Sequence, residues 1–361
     1  MKSLEIPEWL LLEPFQITKR EKSELLGQAL FDLTTWHYHN CAAYRRILEV
    51  SSWDKKLSDE LASLPFIPVS LFKKFELLSV DRESIFKTMT SSGTSGQQVS
   101  KIFLDRHTAS NQIKVLSKLI TSVLGKQRLP MLIIDSPATL KDRKAFSARG
   151  AGILGFSMFG KDVTYALDDG MNLNIKAVNE FLERNPNGPL FIFGFTFIVW
   201  KNFIQQLKDR GEKVDLQRGT LLHGGGWKKL QNISMNSRSF GAALESVTSL
   251  TKVVNYYGMV EQTGSLFMEC NQGYLHSPVF ADVITRRNRD LQPAKFGEPG
   301  VLQVLSMLPK SYPGHSLLTE DLGVVYGEDD CSCGWRGKYF HVTGRAPKTE
   351  IRGCSDTYEF Q

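Results

Sequence analysis

Between residues 19 and 50 the apolar positions Leu25, Leu26, Ala29, Leu30, Leu33 and Trp36 recur at the spacing of one helix face, which predicts an amphipathic helix or two in succession. His37 and His39 fall within this stretch and are expected to belong to its packing. Pro65 and Pro68 then break any helix in ASLPFIPVSLFKKFELLSV (62–80). Beyond residue 85 short apolar runs alternate with helical spacing. MLIID (131–135), LFIFGF (190–195), TLLH (220–223) and KVVNYY (252–257) read as buried strands, with NIKAVNEFLERN and FIVWKNFIQQLKDRG as helices between them. Such alternation predicts an α/β fold with a mostly parallel sheet covered by helices. From about residue 275 the pattern turns to short strands with Gly and Asp turns: SPVFADVITR, VLQVLSM, SLLTEDLGVVYGE and KYFHVTGR. The expected organisation is a helical region over 1–80, an α/β core over 81–275, a β subdomain over 276–343 and a tail over 344–361.

Composition narrows the classes. Hydrophobic residues make up 42% and charged residues 23% of 361, the range of an ordinary globular protein. No 18-residue apolar run argues for a membrane span, and the first residues do not read as a signal peptide. A cytoplasmic location is therefore expected. The net charge of +6 suits an enzyme handling anionic substrates and is too mild for a nucleic-acid binder. The pairs Lys73–Lys74 and Lys228–Lys229 read by themselves as solvated surface.

Four segments carry candidate chemistry. Thr90, Ser91, Ser92, Gly93, Thr94, Ser95 and Gly96 form a run of hydroxyls and glycines that suits either a phosphate-binding loop or a plain flexible one. His223 precedes Gly224, Gly225 and Gly226, three glycines at the end of an expected strand, where bare backbone admits a planar ligand or a tight turn forms. After the next strand come Tyr256, Tyr257, Gly258 and Glu261, an aromatic face followed by a carboxylate suited to Mg²⁺. Thr319-Glu320-Asp321 offers a carboxylate for a ribose diol, or an ordinary Asp turn.

In this order the segments resemble the acyl-adenylate-forming superfamily of acyl-CoA synthetases, luciferases and adenylation domains. The resemblance covers residues 65–353, and Gly344-Arg345 falls where that superfamily has its hinge-preceding Gly-Arg. IPVSLFKKFELLSV, TSSGTSG, HGGGWKK and Arg352-Gly353-Cys354 are similar to the LuxE-type acyl-protein synthetases, and the Cys-x5-His and Cys-x-Cys-Gly elements to the phenylacetate–CoA ligase branch. The resemblance implies the large N-terminal domain of an adenylate-forming enzyme with a small β subdomain. It also implies ATP phosphates held by residues 90–96, with Thr94 catalytic. Adenine would be lined by Gly224–Gly226 and Tyr256–Tyr257, Mg²⁺ held by Glu261, and ribose by Asp321 and Arg345. FIFGFTFIVW (191–200) would wall an acyl pocket while remaining buried core. The sequence departs from the superfamily after the loop, where Gln97–Ser100 precede Lys101, and at Pro347 beyond the Gly-Arg. It ends soon after Gly353, so the mobile C-terminal lid is expected to be absent, as in LuxE-type enzymes.

Cys270, His276, Cys331 and Cys333 supply three thiolates and an imidazole, a donor set for structural Zn²⁺. Cys354 is the remaining candidate. The match to LuxE-type enzymes implies that it accepts the acyl group as a thioester, next to Arg345 and Arg352 that would favour its thiolate. The expected reaction is ATP-dependent activation of a carboxylic acid, expected to be fatty, as acyl-AMP, then transfer to Cys354 and onward to a partner protein. The rival readings are a ligase whose acceptor is CoA or a carrier protein, and a nucleotide-binding scaffold without catalysis.

Overall fold

A computed structural model describes residues 8–51, 53, 60–91, 99–140, 148–226 and 237–346. The chain folds as two compact units. One comprises the described parts of 1–91, 98–119 and 258–350, the other the described parts of 120–257.

The second unit is built on a parallel sheet. Its strands lie in the order Lys252–Tyr257, Gly219–Gly224, Leu190–Phe195, Leu129–Ile134 and Gly160–Tyr165. Every residue of Leu190–Phe195 is buried, which is why its sequence is continuously apolar rather than alternating. Leu132, Ile134, Ile192 and Leu221 from the sheet pack with Val178, Phe181, Phe203, Phe240 and Leu244 from the covering helices. The helix after the central strand runs through Thr196–Ile198, Val199–Ile204 and Gln205–Arg210, and its middle segment is π-helical. It stops at Gly211, whose φ of 64° is left-handed. Gly160–Tyr165, at the sheet edge, is too polar to read as a strand in advance.

The first unit is antiparallel. Its strands run in the order Ala281–Arg286, Pro299–Ser306, Ser316–Glu328, Lys338–Arg345, Leu275–His276 and Phe267–Glu269. Ile67–Pro68 adds in parallel to Ser316–Glu328, and Ile85–Thr90 pairs with Lys101–Asp105 as a separate hairpin. The helix Lys19–Asn40 begins at a capping box, with Thr18 Oγ1 accepting from Glu21 N at 3.4 Å and the Glu21 carboxylate accepting from Thr18 N at 2.8 Å. It breaks at Cys41, and Ala42–Val50 follows. Leu26 and Leu30 pack with Leu61, Leu64, Ile284, Leu305 and Met307.

Three polar groups on this helix are buried: His37 as expected, Lys22 and Thr34 without any sign in the sequence, whereas His39 is exposed rather than packed. Lys22 Nζ donates to Ser277 Oγ at 2.9 Å and lies 3.4 Å from Asp282, which Lys338 Nζ meets at 2.6 Å. His37 accepts from Ser79 Oγ at 2.8 Å and donates from Nε2 to the Pro309 carbonyl at 3.0 Å. Burial pushes its pKa down to about 3, so the ring is neutral. Thr34 Oγ1 meets the His315 ring at 2.9 Å. Among the described residues no helix is long and apolar enough to cross a membrane.

Candidate functional site

In the first unit the candidate phosphate loop leaves the hairpin strand Ile85–Thr90. Ser91 N donates to Ser100 O at 3.1 Å and Ser100 N to Ser91 Oγ at 2.9 Å, so the two ends of the loop are tied together. Thr90 and Ser91 stand at that junction. Ser92, Gly93, Thr94, Ser95 and Gly96 lie outside the described residues.

Glu261 sits on a single 3₁₀ turn, Val260–Gln262, and is buried. The turn is held by its neighbours. Gln262 Nε2 donates to the carbonyls of Val304 at 3.1 Å and Gly314 at 2.8 Å, and Thr263 Oγ1 to that of Val260 at 2.9 Å. Gly264 follows with φ of 91°, where a Cβ would stand 2.9 Å from the Gln112 backbone, so only glycine fits. Burial raises the Glu261 pKa from the ordinary 4.5, opposed by Ser100 and by the charge of Lys73. A carboxylate held in this state gains most from a bound cation.

Asp321 and Arg345 face each other in register on the antiparallel strands Ser316–Glu328 and Lys338–Arg345. Arg345 Nε is 3.4 Å from Asp321 Oδ1, and Arg345 Nη1 is 3.6 Å from Glu320 Oε2. Thr319 fixes the turn of the strand. Its hydroxyl donates to Leu302 O at 2.7 Å and accepts from Asp321 N at 3.1 Å. Lys73, read from sequence as surface, points its Nζ to within 3.9 Å of Glu320 Oε1. One-dimensional spacing gave no sign of it, because its partner lies some 250 residues on. Gly258 packs under Leu266, whose Cδ2 a Cβ would meet at 2.5 Å.

In the second unit His223 and Gly224 end the strand Gly219–Gly224, and Gly225 and Gly226 take left-handed φ of 92° and 73°. The Tyr256 ring lies on bare backbone, since a Cβ at Gly224 would come within 2.5 Å of its Cζ. Thr196 Oγ1 donates to the Gly224 carbonyl at 3.0 Å and lies 2.9 Å from His223 Nδ1. One hydroxyl proton cannot serve both, so Nδ1 carries the ring proton. Burial lowers the His223 pKa to about 3, which keeps the ring neutral. Thr196 thus ties the end of Leu190–Phe195 to that of Gly219–Gly224, a link the sequence did not reveal. Phe156 lies 5.3 Å from Tyr256 and 4.4 Å from Phe193 between ring centroids, an aromatic layer behind the glycines. Tyr257 is half-buried on the same strand. Phe191, Phe193 and Phe195 are buried core. Asp135, at the end of Leu129–Ile134, holds Arg149 through two carboxylate–guanidinium bonds, a buried pair that sequence reasoning also missed.

Cys270, His276, Cys331 and Cys333 converge, their ligand atoms all within 4.8 Å of one another. Cys270 and Cys333 stand in two tight turns. Gly273 N donates to Cys270 O at 2.9 Å, and Gly334 N to Cys331 O at 3.1 Å, with φ of 82° and 85° at the two glycines. Cys333 Sγ lies 3.4 Å from His276 Nε2 and accepts from Trp335 N at 3.2 Å. Burial lowers the His276 pKa to about 4 and raises that of Cys333 to about 12. Three sulfurs and a neutral imidazole at this spacing fit a tetrahedral soft cation. Cys354 lies outside the described residues.

The family model described as acyl-protein synthetase, LuxE, matches residues 2–360. The long-chain-fatty-acid–luciferin-component ligase of Vibrio harveyi is 23% identical over 371 residues, covering 98% of this chain and 92% of the relative. That of Aliivibrio fischeri is 23% identical over 332 residues, covering 90% and 85%. Among solved structures, an open conformation of 2-hydroxyisobutyryl-CoA ligase in complex with 2-HIB-AMP and CoA superposes with a TM-score of 0.70 at 14% identity, covering 94% of this chain and 78% of that one. The same ligase in its postadenylation state gives 0.69 at 13% identity, covering 92% and 69%. The fold is thus that of the adenylate-forming ligases. With a family match across nearly its whole length, the chain is an ATP-dependent acyl-adenylate-forming ligase and belongs to the LuxE acyl-protein synthetase family.

Proposed function

We propose that the chain activates a long-chain fatty acid as acyl-AMP and transfers the acyl group to a cysteine thiol, its own Cys354 first and then a partner protein. The observation that carries this reading is the family match over residues 2–360, joined by relatives named for fatty-acid ligation. In the first step a carboxylate oxygen of the acid attacks the α-phosphorus of ATP, the bond to the β-phosphate bridge breaks, and pyrophosphate leaves. In the second the Cys354 thiolate attacks the acyl carbon and AMP leaves with the electron pair.

The residues take the roles that follow from the resemblance. Residues 90–96, with Thr94, hold the phosphates. Gly224, Gly225, Gly226, Tyr256 and Tyr257 take the adenine, with Gly258 giving the chain room to turn. Asp321 and Arg345 hold the ribose. Glu261 holds Mg²⁺, which neutralises phosphate charge when bound. The buried, fixed turn around Glu261 supports that role, because a preorganised carboxylate needs no rearrangement to accept the ion. Cys270, His276, Cys331 and Cys333 hold a structural zinc. All four positions are filled by protein there, so the ion staples turns and takes no part in the chemistry.

The test is ATP–pyrophosphate exchange with purified protein and a panel of carboxylic acids of increasing chain length. Exchange that depends on a long-chain acid is expected. Silence across the panel, with ATP still bound, would replace this reading with a nucleotide-binding scaffold. Exchange followed by acyl transfer only to added CoA would make the protein a CoA ligase.

A further inference from the structure

Lys73 and Lys74 are adjacent in sequence, yet the fold treats them differently. Both lie on the short helix Leu71–Lys74, where Phe72 is buried; Lys74 is exposed and the Lys73 side chain is 18% exposed. The segment is stitched to the strand that carries Glu320 and Asp321. Ile67 and Pro68 pair with Leu317 and Leu318, and Val69 N donates to Leu318 O at 2.9 Å. This brings Lys73 Nζ to 3.9 Å from one oxygen of Glu320. The other oxygen lies 3.6 Å from Arg345 Nη1, and Arg345 Nε lies 3.4 Å from Asp321. Four charges therefore stand in a row with alternating sign: Lys73, Glu320, Arg345, Asp321. None is more than 22% exposed, so they act on one another more strongly than surface ions do.

Arg345 is shared between two carboxylates, and the balance decides which one it serves. We propose that Lys73 is a positioning residue for nucleotide binding: by neutralising Glu320 it leaves the Arg345 guanidinium committed to Asp321, so that this pair is set to receive the ribose hydroxyls. The inference rests on the reading of Asp321 and Arg345 as the ribose-holding pair. Without Lys73 the full charge of Glu320 draws the guanidinium away from Asp321. The cation acts through Glu320 and need not touch the substrate.

The experiment compares ATP with 2′,3′-dideoxy-ATP, which lacks both ribose hydroxyls, in pyrophosphate exchange and in equilibrium binding with Mg²⁺. Lys73→Met is expected to raise the KM for ATP about tenfold, the size of coupling found within one charge network, with kcat changed far less. The preference for ATP over the dideoxy analogue should fall toward one. Lys73→Arg should restore both quantities, and Lys74→Met should match wild type. Adding Glu320→Gln to Lys73→Met should recover most of the loss, because the neutral amide no longer competes for Arg345. Should Lys73→Met fold poorly by its melting curve, Lys73→Gln replaces it in the same comparison. An unchanged KM and preference would overturn the inference, as would a loss that neither Lys73→Arg nor the added Glu320→Gln repairs. If wild type shows no exchange, adenylation itself fails, and the binding comparison still decides the role of Lys73.

Discussion

At the scale of single residues, Glu261 shows how a fold prepares a carboxylate. Its side chain is buried on a turn bolted by Gln262, and that burial raises its pKa. The folded state therefore binds a proton more tightly than the unfolded chain. The stability this contributes is fully present below the unfolded value near 4.5 and is lost as pH rises through the folded one. As pH rises above the unfolded value, burial of this carboxyl increasingly works against folding. Glu261→Gln is thus expected to melt above wild type at pH 7 in the absence of nucleotide and Mg²⁺, with the gap closing as the buffer approaches pH 4. The same substitution should lower pyrophosphate exchange on the order of a hundredfold, the loss typical of one preorganised electrostatic group. A melting gap of constant size at all pH values would show that Glu261 is not strained by burial. Undiminished exchange would remove it from the Mg²⁺ site.

At the scale of elements, the Cys/His cluster joins two turns, one after the strand Phe267–Glu269 and one after Ser316–Glu328. Phe15 stacks on Trp335 with ring centroids 4.2 Å apart, and Arg336 N donates to Phe15 O at 2.9 Å, so the segment before the first long helix is fastened to the same turn. Burial raises the pKa of Cys270 and that of Cys333, the latter to about 12, so cation binding must displace thiol protons. Zinc affinity should therefore rise steadily with pH between 6 and 8, measured by competition with a chromogenic chelator. His276, at about 4, is already neutral across that range and contributes nothing to the slope. Metal removal should lower the melting temperature and quench or shift Trp335 emission, while Cys331→Ser should weaken binding without changing the rank of metals. A pH-independent affinity would mean that the thiols are not the ligands.

Elements of this kind were legible in the sequence to different degrees. Leu190–Phe195 was readable because a strand covered on both faces must be apolar throughout. Lys252–Tyr257 was readable from its β-branched and aromatic residues, but it is half-buried with Lys252 exposed, not the buried strand expected. The four later strands were readable from their turns. The Cys/His cluster was readable because thiols and imidazole have few other reasons to pair at such spacing. Lys22, Asp282 and Lys338 were not, since charged residues on a helix or strand read as surface until their distant partners are known. Lys73 and Thr196 were hidden for the same reason: each acts on a residue far away in sequence. The π-helical segment Val199–Ile204 leaves no compositional trace, because its apolar spacing is close to that of an ordinary helix.

At the scale of the whole molecule, the proposed reaction divides between two kinds of sequence. The nucleotide roles proposed for described residues fall on strands and turns, whereas the proposed acyl acceptor, Cys354, lies outside the described residues. Of the five cysteines, Cys41 is buried where two helices meet, and Cys270, Cys331 and Cys333 converge with His276 in the candidate metal cluster. Burial suppresses thiolate attack, as would ligation of the proposed zinc, so these four cysteines are poor acceptors. Cys354→Ser should accordingly leave acid-dependent pyrophosphate exchange at the wild-type rate. It should abolish the acyl adduct seen by intact-protein mass spectrometry after incubation with Mg·ATP and acid, an adduct that hydroxylamine removes from wild type. Loss of both activities would place Cys354 in the adenylation step. An adduct that survives the substitution would move the acceptor to another side chain, and peptide mapping would name it. Retained exchange with the adduct gone is the outcome that separates activation of the acid from its capture by Cys354.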